Sequence, residues 1–438
     1  MNRIAFLLSL AFLPSAYAAD LMQIYRAAQE NDPVFAAARA TRDAGVEKKY
    51  QGLAGLLPTV NAGANTVWNE TTIKTAGLRV SPDYNSHGYT VTLSQPLFRW
   101  QNWAGYGQGK WAAIQAEAGF VQAKQDLVLR TAQAYFDLLY AQENLKAVQA
   151  SKAAITQQLA QAKKNFEVGT ATITDTHEAQ ARFDLASAQE LVADSELEVK
   201  RRALQAIIGK EPGALAPARS DVVIAPPQPA GMDRWVEAAE RDAVPVQVQK
   251  AAAEIADYEV QKQRAGHLPT LDLVANVGKS NTLGTGFAET DTRFNNIGLQ
   301  LNIPIFQGGY VMSKDREAVA NRRAAESSLE AAKRQSALSA RQAYLGVVNG
   351  VGQVKALEAA LASSRLALES NKLGYDVGVR INIDVLNAEQ QVYTTRRDLA
   401  KAKYDTLLAQ LRLKAAVGAL GDEDVLQVNA LLDPAAAK

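Results

Sequence analysis

The sequence predicts a mainly α chain with membrane β: long antiparallel coiled-coil helices, plus four strands that are too few to close on themselves. Three observations predict it. First, the run FEVGTATITD from Phe166 to Asp175 returns as YDVGVRINID from Tyr375 to Asp384, 209 positions later. Its surroundings repeat at nearly the same offset: AYFDL from Ala134 matches AYLGV from Ala343, LPT from Leu57 matches LPT from Leu268, and QPLF from Gln95 matches IPIF from Ile303. A self-match over half the chain fixes a two-repeat architecture. Second, proline is absent between Pro96 and Pro212 and between Pro304 and Pro434, and within both windows apolar residues recur every seven positions, the spacing of a coiled-coil seam. Third, each repeat carries two segments of about ten residues that alternate with the period of two of a strand.

Composition narrows the function. A net charge of +1 leaves no basic footprint for nucleic acid, and the absence of cysteine removes disulfides, thiolate metal sites and a lipidated N-terminal Cys. Residues 1–18 read as a signal peptide: Arg3, an apolar run from Ile4 to Leu13, and the small-residue cleavage motif Ala16-Tyr17-Ala18. The apolar run falls short of the ~20 residues of a spanning helix. The mature chain then divides into a first repeat at 19–208, a Pro-rich linker at 209–232, a second repeat at 233–418 and a C-terminal tail at 419–438 that reads as poorly ordered.

In order, Asp20 to Leu57 predicts a helix interrupted near Pro33, with Asn31 and Asp32 as cap candidates for the second piece. Thr59 to Glu70 predicts a strand, 71–88 a long polar loop, and Tyr89 onward a second strand, with Pro96 at its exit. Phe98, Trp100 and Trp103 follow at once and suit an interfacial aromatic belt. Leu127, Ala134, Ala141, Val148 and Ile155 form one row of the seam, with Thr131, Leu138, Leu145 and Leu159 on the complementary row. A helix from Asn102 to Phe166 is about 100 Å long at ~1.5 Å per residue. A turn at Gly169 leads into a second helix from Asp175 to Ile208. The second repeat follows the same plan: a helix from Asp233 to Ala265 broken at Pro245, strands at Thr270–Ser280 and Phe294–Phe306, a seam through Val347, Val354, Leu361 and Leu368, and a turn at Gly378.

Strands of this length, apolar on one face and bordered by aromatics, match an outer-membrane barrel. Lipid tolerates only a closed ladder, and about eight strands are the minimum for closure. The chain must therefore oligomerise if the strands enter lipid; three copies supply twelve strands. A soluble four-stranded sheet on a helical bundle is the alternative reading of the same segments.

The signal peptide, the duplicated helix–strand–strand–helix–tip–helix order, the proline-led strand exits and the paired [FY]-x-V-G-x-x-x-I-x-D tips resemble the TolC-type outer-membrane factors over essentially the whole mature chain. The resemblance implies a homotrimer with a 12-stranded β-barrel in outer-membrane lipid and a periplasmic helical tunnel. It implies docking on a periplasmic adaptor (membrane fusion) protein and an inner-membrane ABC or RND-type pump, and export of proteins or small toxic compounds. It also implies a gate at the periplasmic tip, where Asp175 accepts hydrogen bonds from Tyr375 and Arg380 and Asp384 lines the aperture. Where a second aperture aspartate can follow one turn later, this chain has Asn387. Each residue also has a plainer use. Asp175 and Asp384 both suit helix caps, and Tyr375 suits coiled-coil packing; Arg380 has the least to do in a turn.

Catalysis finds no support. The three histidines, His87, His177 and His267, lack metal-ligand spacing, and no nucleophile elbow, P-loop or dinucleotide fingerprint is present, so no cofactor is expected. The rival function is a periplasmic coiled-coil scaffold or adaptor without a pore.

Overall fold

The computed structural model describes residues 18–75, 77–170, 172–219, 222–283 and 288–433. The leader read at 1–18 lies outside these residues except for Ala18, as do the last five positions of the predicted tail. The chain forms two compact units. One comprises residues 1–38, 121–243 and 334–438, the other residues 39–120 and 244–333, so each unit takes pieces of both repeats. No helix among the described residues is long and apolar enough to cross a membrane.

In the first unit, α1 (Leu21–Asn31) opens with a capping box in which the Asp20 carboxylate accepts from the Gln23 amide at 2.7 Å. The helix break predicted near Pro33 falls at Asp32. Pro33 begins α2 (Pro33–Ala54), where its missing N–H removes no helical bond. Of the two cap candidates Asp32 does the capping: it accepts from the Phe35 amide at 2.8 Å and from Arg130 Nη1 at 3.0 Å. Asn31 instead donates back to the Ala27 carbonyl at 2.8 Å.

The long helices are α3 (Trp100–Glu167), α4 (Ile173–Ile208), α7 (Tyr310–Asp376) and α8 (Asn382–Ala416). Leu127, Thr131, Leu138, Ala141, Ile155 and Leu159 of the expected α3 seam are buried, as are Val347 and Val354 of the α7 seam. Ala134, Leu145, Val148, Leu361 and Leu368 are only half-buried. Between them, α5 (Met232–Asp242) and α6 (Val244–Arg264) part at Ala243 rather than at Pro245; proline is tolerated in the first turn that follows. Trp235 and Ala239 of α5 pack with Ala340 and Val347 of α7 and Leu413 of α8, and the Trp235 indole donates to the Pro229 carbonyl at 2.9 Å.

The predicted tail needs correction, and the Pro-rich linker does more than join the repeats. Residues 422–429 form α9 (Asp422–Asn429), which buries Val425 and Val428. Beyond it the Asp433 amide donates to the Pro217 carbonyl at 2.8 Å, and the Arg219 amide donates to Leu431. Ala19 exchanges backbone bonds with Ala214 and Ala216 at 2.7 and 3.1 Å. The Pro-rich stretch is thus a platform that receives both ends of the described chain. Its prolines lack donors, so its remaining amides and carbonyls seek partners outside the segment.

In the second unit, β1 (Thr59–Glu70), β4 (Asp83–Phe98), β5 (Thr270–Leu283) and β6 (Glu289–Asn302) form one antiparallel sheet in the order β1-β4-β5-β6. The polar loop expected at 71–88 is instead a short ribbon of β2 (Ile73–Thr75) and β3 (Leu78–Val80), followed by the first third of β4. The last strand also begins earlier than expected and ends before Pro304 and Phe306. Strand register places Val60, Leu93, Ala275 and Ile297 in one row and Asn61, Thr92, Asn276 and Asn296 in the next. One face of the sheet is therefore apolar and exposed: Ile297, Leu299 and Leu301 are 73%, 66% and 60% exposed. The other is polar and cross-linked, with Thr92 Oγ1 donating to Asn276 Oδ1 at 2.7 Å and Asn276 Nδ2 to Asn296 Oδ1 at 2.9 Å. Both β1 and β6 leave an edge unpaired in the sheet.

Candidate functional site

Two tips in the first unit repeat the same hydrogen bonds at the sequence offset of 209. Gly169 N donates to Phe166 O as Gly378 N does to Tyr375 O, both at 3.0 Å. Thr170 N donates to Asn165 O at 2.8 Å as Val379 N does to Gly374 O at 2.9 Å. Gly169 and Gly378 take φ of 80° and 79°, a left-handed conformation that side chains resist. The turn residues read from sequence therefore stand where the backbone requires them.

The tips differ at their next helix. In the first, Thr172 caps α4 and Asp175 returns the bond, accepting from Thr172 N at 3.0 Å and Thr172 Oγ1 at 2.9 Å. In the second, Ile381 occupies the cap position without a side-chain bond. Asp384 is thereby released from capping and lies 3.6 Å from Arg380 Nη1. The expected bonds from Tyr375 and Arg380 to Asp175 are not made within the chain. A threonine three residues away is already in reach of Asp175, and Arg380 finds its carboxylate one helical turn on. The Tyr375 hydroxyl instead accepts from Asn165 Nδ2 at 3.3 Å.

Near the tips, polar contacts tie the α3–α4 hairpin to the α7–α8 hairpin: Asn165 to Tyr375, Arg182 Nη2 to Asn387 Oδ1 at 3.0 Å, and Gln158 Nε2 to Glu389 Oε2 at 3.1 Å. Asn387, expected to stand in the aperture, is thus engaged by α4. Glu389 is buried and also takes Lys372 Nζ at 3.4 Å. An uncompensated carboxylate is costly there. Below these contacts, Leu159, Ala162 and Ala179 form a small apolar cluster, and Ile155, Ala186 and Leu386 another. Gly374 matters for space: a Cβ there would stand 2.7 Å from Arg380 Cγ, so glycine lets Arg380 fold over the end of α7.

Gln158, Arg182, Lys372, Gly374 and Glu389 were not picked out from the sequence. Glu389 had a signal, since it continues the inward 3–4 spacing of Val385 and Leu386, both buried, with a charge where the seam calls for an apolar residue.

The sheet is the second functional surface. Phe98, Trp100 and Trp103 are 41%, 45% and 54% exposed at the end where strands join helices. At the opposite end Trp68 and Tyr89 are 79% and 55% exposed and share the apolar face by register. This is a second aromatic border that the sequence reading passed over. At the helix-proximal end Arg99 grips buried Asp272 with both forks, Nε to Oδ1 at 2.7 Å and Nη2 to Oδ2 at 2.5 Å, tying the end of β4 to β5.

Comparison with known proteins shows the family. The family model "Outer membrane efflux protein" matches residues 24–210 and 235–419. The chain is 34% identical over 429 residues to the outer membrane protein TolC of Vibrio cholerae, covering 96% of each. It is 32% identical to the alkaline protease secretion protein AprF of Pseudomonas aeruginosa, covering 97% of this chain and 89% of that one. Among solved structures, the Campylobacter jejuni CmeC outer membrane channel has the same fold, with a TM-score of 0.79 at 18% identity over 94% of this chain and 90% of that one. The chain therefore belongs to the outer membrane efflux protein family, as an outer-membrane channel of the TolC type and not an enzyme.

Proposed function

We propose that three copies of the chain assemble into one exit duct, with twelve strands closing a barrel in the outer membrane and the helical hairpins forming a periplasmic conduit closed at its tips. One observation carries the assembly: the sheet is apolar on one face, polar on the other, and unpaired at both edges. Four strands cannot close, and lipid forbids open edges. Copies joined from β6 to β1 remove every edge. The polar face, with its Thr92–Asn276–Asn296 bonds, then lines the lumen, and the apolar face between its two aromatic borders meets lipid.

The tips supply the gate. Asp384 and Arg380 stand beside the turn, and three copies bring three such pairs around one axis. Exposed ion pairs are worth roughly 0–1 kcal/mol each. Together with the Glu389, Asn387 and Tyr375 contacts they hold closure firmly enough to persist and weakly enough for a partner to release. A periplasmic adaptor and an inner-membrane ABC or RND-type pump are the partners that likeness to this family implies. Proteins and small toxic compounds are both admissible cargo. Kinship to relatives named for protease secretion, such as AprF, supports the former.

The deciding measurement is the mass of the protein extracted from outer membranes in mild detergent, corrected for bound detergent. Three copies per particle are expected. A monomer stable without detergent would sink the barrel and the duct together.

A further inference from the structure

The apolar face of the sheet changes character at one row. From Leu271 to Lys279, nine residues of β5 run from the Phe98 row to the Tyr89 row, about 27–30 Å of strand and the length that spans a bilayer. No charged side chain stands on this face before that row. There Tyr89 pairs with Lys279 and Lys279 with Arg293, so two cations sit on neighbouring strands about 4.8 Å apart, beside an aromatic ring. Arg293 is exposed and makes no ion pair with another described residue. Lys279 holds Asp291 at 2.8 Å; Asp291 and Glu289 lie one and two rows farther toward the loops. Directly beneath the cations a groove of about 570 Å³ is lined by Val91, Leu93, Ala275, Val277 and Ile297, with Asn295, Asn276 and Asn296 as its polar members.

We propose that this row and groove form a binding site for a phosphorylated saccharolipid of the outer leaflet. Arg293 and Lys279 donate to a phosphate monoester, Tyr89 lies against the sugar, and an acyl chain occupies the Ala275 groove. The inference rests on the barrel reading above, which puts the β1–β4 and β5–β6 loops outside the cell and this row in the outer headgroup layer. The charge match favours a monoester. It carries about 1.5–2 negative charges, enough to engage the unpaired Arg293 and to draw Lys279 away from Asp291, whereas a phosphodiester carries one. Arginine and lysine at this depth keep their stems in the apolar layer and their heads at the phosphates.

The test reconstitutes the full assembly in phosphatidylcholine nanodiscs carrying either one-tenth lipid A, a diphosphorylated acylated disaccharide, or one-tenth phosphatidylglycerol. Retained lipid is counted by native mass spectrometry. The wild type is expected to retain lipid A about tenfold over phosphatidylglycerol, and K279Q/R293Q to lose about tenfold or more, the scale of lost charge-assisted bonds. R293K should keep part of the preference. K74Q/R79Q on the β2–β3 ribbon, beyond the apolar face, should keep all of it. Equal retention of both lipids, or a K279Q/R293Q variant that retains lipid A like the wild type, would overturn the site while leaving the barrel intact. Failure of the wild type to insert into any nanodisc is a separate result, which would remove the barrel reading and this proposal with it.

Discussion

Arg380 and Asp384 show how a single cap residue decides what a carboxylate is free to do. Asp175 and Asp384 are equivalent by sequence, yet Thr172 binds the first into a capping box and Ile381 leaves the second to Arg380. A carboxylate neutralised by a guanidinium has little attraction left for other cations. Arg380→Ala therefore has two expected effects in planar bilayers: higher conductance, because the tip loses an ion pair in each copy, and stronger block by divalent cations from the periplasmic side, because Asp384 is unmasked. Asp384→Ala should raise conductance without gaining block. Equal block in both variants would place the cation site elsewhere. Arg380 could be singled out because a turn gives arginine nothing to pack against, but the carboxylate beside it is Asp384 and not the expected Asp175. The true partner of Asp175 was not legible, because choosing between a local threonine and a distant tyrosine depends on how the hairpins meet. Glu389 was missed for a related reason: one charge in an apolar spacing signals burial only once a second helix is seen to cover it.

At the scale of elements, the long helices, the two tips and the cores of the four strands could be read directly from sequence. Proline-free windows, glycines at turns and a period of two are local signals. What failed was also local in cause. Residues 71–88 look like a loop because they are rich in Thr, Ser, Asn and Gly, but 73–75 pair with 78–80 as a ribbon and 83–88 pair with β1 as the start of β4. The tail looks disordered until α9 is seen to lie against α1 and α8. Gly374 belongs to this scale, since it sits inside α7 with no turn to justify it. Gly374→Ala adds about 0.5–1 kcal/mol of helix preference, offset because its methyl meets the root of the Arg380 side chain, Cγ at 2.7 Å and Cβ at 3.3 Å, and must push it aside. The expected outcome is an unchanged or slightly raised melting temperature with a conductance between wild type and Arg380→Ala. A conductance equal to wild type would show that Arg380 reaches Asp384 by another path.

For the whole molecule, the sequence established that four strands are too few, and the structure shows which faces and edges are left over. The polar row of Asn61, Thr92, Asn276 and Asn296 and the apolar row of Val60, Leu93, Ala275 and Ile297 can both be satisfied only if one meets water and the other lipid. Leu299 tests the assignment, because it is 66% exposed, pairs with Leu273 and stands well inside the apolar band. An arginine on the lipid face of a barrel costs about 2–4 kcal/mol at the midplane and less toward the borders; Leu299 stands between the middle row of Ile297 and the border row of Leu301, and a trimer would incur the penalty in every copy. Leu299→Arg should therefore abolish the heat-modifiable trimer band in outer-membrane fractions. Its neighbour Gln300 is exposed on the opposite, polar face, where water receives a cation. Gln300→Arg should assemble normally. If Leu299→Arg assembles like wild type while Gln300→Arg fails, the two faces are reversed and the apolar row meets something other than lipid.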